Sequence, residues 1–253
     1  RAALERLPAA ERGTSVLLNQ LGMLLYGMGK LEEARPLLEE YMQGCRAALG
    51  DHHPSTLTSI GNMGQLLQAM GKLEEARPLC EEALQARRET LGDRHPDTLT
   101  SIGNMGLLLK EMGKLEEARP LCEEALQAKR ETLGDRHPET LTSISNLGTL
   151  LQAMGKLEEA MPLYEEALQA RRETLGDRHP STLISIYNMG DLLEEQGMLT
   201  EAIPLFTEEL EGLVVLRGMK YQETRDSANH LVELLRNAGQ HDEATALAAK
   251  HNV

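Results

Sequence analysis

Four histidines, His53, His95, His137 and His179, and three glutamate pairs, Glu81 with Glu82, Glu123 with Glu124 and Glu165 with Glu166, are residues whose types could do chemistry. Four imidazoles suggest a zinc site, which needs nitrogens about 2.0–2.1 Å from one ion. Adjacent carboxylates suggest general acid–base work, which needs surroundings that drive two pKa values apart. Spacing argues against both. The histidines recur every 42 residues, and equivalent positions in stacked units stand at least the ~8–10 Å of packed helix axes apart. They cannot converge on one ion. Each precedes a proline (Pro54, Pro96, Pro138, Pro180), so a helix-entry role is expected. The glutamates recur on an open helix face with nothing to desolvate them, and a solvated role is expected. No GxxxxGK[ST] phosphate loop and no GxSxG elbow occurs. Ser, His and Asp recur with the period, as structural residues do. No catalytic residue, no metal site and no cofactor is therefore expected.

Composition narrows the partners. The net charge is −14 and the pI about 5.1, a field that repels phosphate backbones, so nucleic acid is not an expected partner. The basic pairs Arg87–Arg88, Lys129–Arg130 and Arg171–Arg172 recur near a helix C-terminus, where the dipole explains them. They are expected to be solvated. One phenylalanine, five tyrosines and no tryptophan offer no platform for stacked bases. No apolar run reaches the ~18 residues that a membrane helix needs. The chain opens on Arg1 without a charged-then-apolar leader, which argues against a retained signal peptide. Cys45, Cys80 and Cys122 have no metal or redox spacing. Tyr164 and Phe206 follow Cys80 and Cys122 at the same place in later periods, so the slot is an apolar core position that accepts a thiol. Reduced cysteines imply a reducing compartment, and a cytoplasmic location is expected.

The elements that carry these residues come from the repeat. Gly-Asp-Arg-His-Pro occurs at 92–96, 134–138 and 176–180, with Gly-Asp-His-His-Pro at 50–54 and a degenerate copy opening at Gly218. Residues 50–91 and 92–133 differ at six of 42 positions, which is duplication. Six periods, approximately 8–49, 50–91, 92–133, 134–175, 176–217 and 218–253, take up nearly all 253 residues. A single domain spanning 1–253 is expected.

Each period reads as two amphipathic helices. In the third, Pro96 suits a first helical residue. Leu99, Ile102, Met105, Gly106, Leu109 and Met112 then recur mostly at steps of three and four, one buried face. Gly113 ends that helix with a left-handed cap. The second helix runs roughly from Leu115 to Leu133, with Pro120 bending its first turn without stopping it. Glycines at 64, 106, 148 and 190 lie mid-helix, where each costs about 1 kcal/mol against alanine. Repetition of that cost implies close packing, with Ala76, Ala118, Ala160 and Ala202 as the small partners. A lone helical pair cannot bury both apolar faces, so neighbours must stack.

The set Gly106, Gly113, Ala118 and Ala125, with its spacing of seven, five and seven, resembles the tetratricopeptide repeat. The 42-residue period and the phrase Leu-Gly-Asp-Arg-His-Pro-x-Thr-Leu narrow the resemblance to the kinesin-light-chain type. It implies an all-α fold, a right-handed α-solenoid of about six tetratricopeptide-type helical hairpins. It also implies a non-catalytic scaffold or adaptor that holds a peptide or a protein surface in a concave groove. A sensor or assembly arm of a larger modular protein, such as an NTPase, is the alternative. Asn62, Asn104, Asn146 and Asn188 sit where the repeat carries a structural asparagine.

The resemblance also implies which first-helix positions line the groove. The candidate partner-binding residues are Gln65 and Gln68, Lys110, Thr149 and Gln152, then Tyr187, Asp191, Glu194 and Glu195, and finally Asn229 and Arg236. Among these, Tyr187, Asp191, Glu194 and Glu195 share one helical face by their spacing. They point to a partner with a basic segment and an apolar group.

Overall fold

The His-Pro dipeptides set the start of the first helices. In the computed structural model, which describes residues 14–253, His53 holds extended backbone angles and its Nδ1 accepts a hydrogen bond from the Ser55 amide at 3.1 Å. His95, His137 and His179 make the same bond to the amides of Asp97, Glu139 and Ser181. Each histidine thus satisfies one of the amides that a helix start leaves unpaired, and the proline behind it removes another. The helix-entry role is theirs.

Gly71 sits at φ +72° after the helix that His53 opens, the Gly71 amide donates to Gln68 O and the Lys72 amide to Leu67 O. Those two bonds are the glycine-capped stop of a Schellman motif. Gly113, Gly155, Gly197 and Gly239 repeat the positive φ.

Among the described residues every regular element is an α-helix, and twelve form successive hairpins. Residues 8–13 of the expected first period lie outside the described residues. The helices group into two compact units, the first ending at Thr132 and the second beginning at Leu133. The first holds α1 (Val16–Gly27) with α2 (Leu31–Leu49), α3 (Pro54–Ala69) with α4 (Leu73–Leu91), then α5 (Pro96–Glu111) and nearly all of α6 (Leu115–Leu133). The second holds α7 (Pro138–Ala153) with α8 (Leu157–Leu175), α9 (Pro180–Glu195) with α10 (Leu199–Leu216), and α11 (Gln222–Asn237) with α12 (His241–His251). Within each unit a second helix packs on the next first helix: α2 on α3 and α4 on α5, α8 on α9 and α10 on α11. Pro36, Pro78, Pro120, Pro162 and Pro204 all lie inside their second helices, which continue through them.

The mid-helix glycines are close approaches. A Cβ on Gly64 would stand 2.8 Å from Cys80 Sγ, and one on Gly148 would stand 2.7 Å from the Tyr164 ring. Ala76, Ala118, Ala160 and Ala202 are fully buried. The slot shared by Cys80, Cys122, Tyr164 and Phe206 is core throughout.

The basic pairs correct an expectation. Arg87, Lys129 and Arg171 are buried, Arg87 at 8 % exposure. The Arg87 guanidinium crosses to the next first helix and donates to Ser101 Oγ at 2.6 Å and the Asp97 carbonyl at 3.3 Å. Arg171 does the same to Ser185 Oγ at 2.6 Å and the Ser181 carbonyl at 3.3 Å. A long apolar stem lets the first member of each pair span the core and deliver its head group to polar atoms. Burial lowers both arginine pKa values, but arginine starts so high that the charge stays.

The second members tie second helices together at the surface. Arg88 reaches Glu124 at 2.7 Å and Arg172 reaches Glu208 at 2.6 Å. Arg46 meets Glu82 at 2.7 Å, while Glu81 accepts from Arg77 and Glu123 from Arg119 within their own helices. These glutamates belong to ion pairs on a wet face, each contributing about 1 kcal/mol or less.

Candidate functional site

In the unit that ends at Thr132, Gln65, Gln68 and Lys110 lie half-buried on first helices. Gly61 and Gly103 leave open space beside them, since a Cβ at either would meet nothing within 4 Å. Asn19, on α1, accepts from Asn62 Nδ2 at 2.8 Å. That bond gives Asn62 its structural role. Cys80 and Cys122 are buried beneath this face, and desolvation pushes both thiols up to about 11. Cys45 is raised for the same reason. Such thiols are poor nucleophiles at neutral pH.

The unit that begins at Leu133 concentrates the side chains. Gln152 Nε2 donates to Asp191 Oδ2 at 2.7 Å and to Glu195 Oε2 at 2.9 Å, while Tyr164 OH donates to Gln152 Oε1 at 2.9 Å. One amide thus gathers two carboxylates from α9 against α7. Burial, then Asp191 and Glu195, drive the Tyr164 phenol well above its ordinary pKa. Thr149 turns back to the Asn146 carbonyl on its own helix.

Between α9 and α11, over α10, opens a cavity of about 690 Å³. Its apolar walls are Leu183, Ile184, Tyr187, Leu213 and Leu216. Asp191, Glu194, Glu223 and Asp226 bring carboxylates to it. Tyr187 and Ile184 remain 41 % and 57 % exposed, so the cavity presents a patch of apolar surface to solvent. The Tyr187 ring meets Phe206 edge-on with centroids 5.6 Å apart, and Phe206 lies 4.6 Å from the His230 ring. His230 Nε2 sits 2.8 Å from Glu194 Oε2. Burial first, and then Asp191, Glu209 and Glu194, raise the Tyr187 pKa.

Glu209 lines the same cavity at 7 % exposure and accepts a hydrogen bond from Ser227 Oγ. Desolvation raises its pKa, and Ser227 offsets part of the rise. Of the sequence candidates, Tyr187, Asp191 and Glu194 share the cavity, and Gln152 and Glu195 adjoin Asp191. Asn229 and Arg236 are exposed on α11 and do not line the cavity. Sequence reasoning missed Glu209, Leu213, Ser227 and His230. A signal existed: Glu209 stands where Ala83, Ala125 and Ala167 stand in earlier periods, and His230 stands where Asn188 does.

The described residues contain no group of three or more acidic, histidine or cysteine side chains arranged to hold a metal ion. No helix among them is long and apolar enough to cross a membrane.

Comparison with known proteins agrees with the fold of successive helical hairpins. The family model described as tetratricopeptide repeat matches residues 13–77, 60–121, 97–173 and 143–213. No curated protein matches the sequence. Among solved structures, a kinesin light chain-like protein of Podosopora anserina with nearly identical TPR-like repeats is 27 % identical. It superposes with a TM-score of 0.66 over 84 % of this chain and 99 % of that one. BtubC (BKLC) from P. vanneervenii superposes at 0.74, with 20 % identity over 88 % of this chain and 89 % of its own. A Rap protein complexed with Competence and Sporulation Factor shares the fold at 0.65, with 9 % identity over 91 % of this chain and 71 % of that one.

Proposed function

We propose that this chain, which belongs to the tetratricopeptide repeat family, is a non-catalytic scaffold that takes a peptide or a protein surface along the first helices of its hairpins. The cavity over α10 carries the reading. Tyr187 and Ile184 expose apolar surface beside Asp191 and Glu194, where α3, α5 and α7 present Gly, Ser, Thr, Gln, Leu and Lys. An apolar patch rimmed by carboxylates suits a partner that offers a large apolar side chain and a basic segment. The Rap protein of similar fold, solved complexed with Competence and Sporulation Factor, supports the reading. The cysteines Cys45, Cys80 and Cys122, free and buried, suit a reducing compartment and support a cytoplasmic location as part of this reading.

The test is to pan a random peptide-display library on the purified chain and titrate the enriched peptides at several salt concentrations. Enriched sequences should join Lys or Arg to a large apolar residue. Asp191→Lys with Glu194→Lys should weaken them about tenfold or more, chiefly by slowing association, and salt should weaken the parent complex. Peptides lacking basic residues, or binding indifferent to the charge reversal throughout the salt series, would remove this site.

A further inference from the structure

The interface between α10 and α11 departs from the earlier ones at a few positions that line one cavity. Where a cation is available, α8 sends the Arg171 guanidinium to Ser185 Oγ on α9, and α4 sends Arg87 to Ser101 Oγ on α5. One period on, Leu213 stands in place of Arg171 and Ser227 in place of Ser185, while Glu209 replaces Ala167. The hydroxyl that accepted from a guanidinium is now a donor to a carboxylate. A buried cation has been exchanged for a buried anion, and a cavity of about 690 Å³ opens against it.

Among the described residues that anion has no arginine or lysine as an ion-pair partner. Arg217, on the cavity wall, is paired with Glu223. His230 lies near enough to lower the Glu209 pKa slightly, but its Nε2 is engaged by Glu194 at 2.8 Å. No ion pair to an arginine or lysine of the described residues reaches Glu209, whose one side-chain bond is the Ser227 hydroxyl. A carboxylate nine-tenths buried with only a neutral partner is costly unless a cation joins it. The walls beside it are aliphatic and aromatic: Leu183, Leu213 and the Tyr187 ring, which can line an alkyl stem and face a cation.

We infer that this cavity is a socket for one cationic side chain of the partner, an arginine or lysine that enters with its stem along Leu183, Leu213 and Tyr187 and pairs its head group with Glu209. The socket deepens the scaffold reading: it assigns one position of a bound segment and leaves the rest of the segment undetermined. The entering residue restores, from outside the chain, the cation that Arg87 and Arg171 supply to earlier interfaces. Asp191 and Asp226 at the mouth favour its approach.

The test needs no natural partner. Nα-acetyl-arginine methylamide is titrated into the full chain, with backbone amides followed by NMR. The acetylated methylamides of lysine, citrulline and norleucine serve as comparisons. Saturable shifts centred on Tyr187, Leu213 and His230 are expected for the arginine and lysine probes, with citrulline and norleucine at least about tenfold weaker, as loss of a charge-assisted bond implies. Glu209→Gln should weaken the arginine probe by a similar factor. Leu213→Arg, and Leu213→Arg combined with Glu209→Ala, should abolish binding. The double variant rebuilds the Arg–Ser pairing of the earlier interfaces, so its loss of binding cannot be ascribed to a failure to fold. Citrulline binding as well as arginine, binding that survives Glu209→Gln, or no saturable shift with any probe would each overturn the socket. None of these results would touch the display experiment, so the scaffold reading stands or falls separately.

Discussion

A Cβ placed on Gly106 would stand 2.7 Å from Cys122 Sγ and 3.6 Å from the Cys122 amide nitrogen, so α5 approaches α6 closely at this glycine. Three residues earlier, Gly103 lies on the same helix with nothing within 4 Å of the equivalent position. The two glycines share a helix and a residue type but face opposite surroundings. Gly106→Leu should therefore destabilise by about 1–3 kcal/mol through overpacking. Gly103→Ala should stabilise by up to about 1 kcal/mol, because alanine loses less backbone freedom in a helix and meets no neighbour here. Thermal melts of the two variants beside the parent check this. Equal shifts of the same sign would contradict the assignment of faces.

Arg171 bears on how the repeats hold together. Its guanidinium donates to Ser185 Oγ and to the Ser181 carbonyl, and it is almost entirely buried. Arg171→Ala removes a long stem from the core and leaves both acceptors without their donor, a loss of about 2–4 kcal/mol. Arg171→Lys should cost distinctly less, since Lys129 fills the equivalent place one period earlier and is also buried. Urea unfolding followed by circular dichroism distinguishes the two. If both variants lose the same amount, the charge and its bonds contribute nothing beyond packing that lysine also fails to restore.

What was legible in the sequence was what duplication wrote several times. His53 and His95 before proline, Gly64 and Gly106 mid-helix, and the Cys80–Cys122–Tyr164–Phe206 slot each recur in register, so their roles follow from geometry that any one period obeys. Arg87 was not legible in the same way. It sits beside Arg88 at a helix end, where both look like dipole complements, but successive helical residues point about 100° apart, and only the first turns into the interface. The cavity was half legible. Tyr187, Asp191 and Glu194 stand out on a first helix, whereas Glu209, Leu213 and His230 each depart from the repeat at one position on other helices. Their meaning comes from lining one cavity, and the period repeats the stacking of the helices without saying which departures face a common space.

Glu209 gives the pH dependence its sign. Desolvation raises its pKa in the folded chain above the ordinary carboxylate value near ~4.3. Between those two values the folded chain holds a proton that the unfolded chain has released. Stability contributed by this group therefore falls as pH rises through that window and is lowest above the folded pKa. Glu209→Gln keeps an oxygen for Ser227 Oγ to donate to and removes the buried charge. The variant should exceed the parent by about 1 kcal/mol at pH 7–8, and the advantage should shrink toward zero as the pH approaches ~4. Urea titrations of both proteins at pH 8, 6 and 4 measure it. The arginine probe adds a second reading of the same charge: at neutral pH and equal concentration it should stabilise the parent more than Glu209→Gln. A difference between the two proteins that stays constant from pH 8 to 4 would mean that Glu209 carries no penalty for its buried charge.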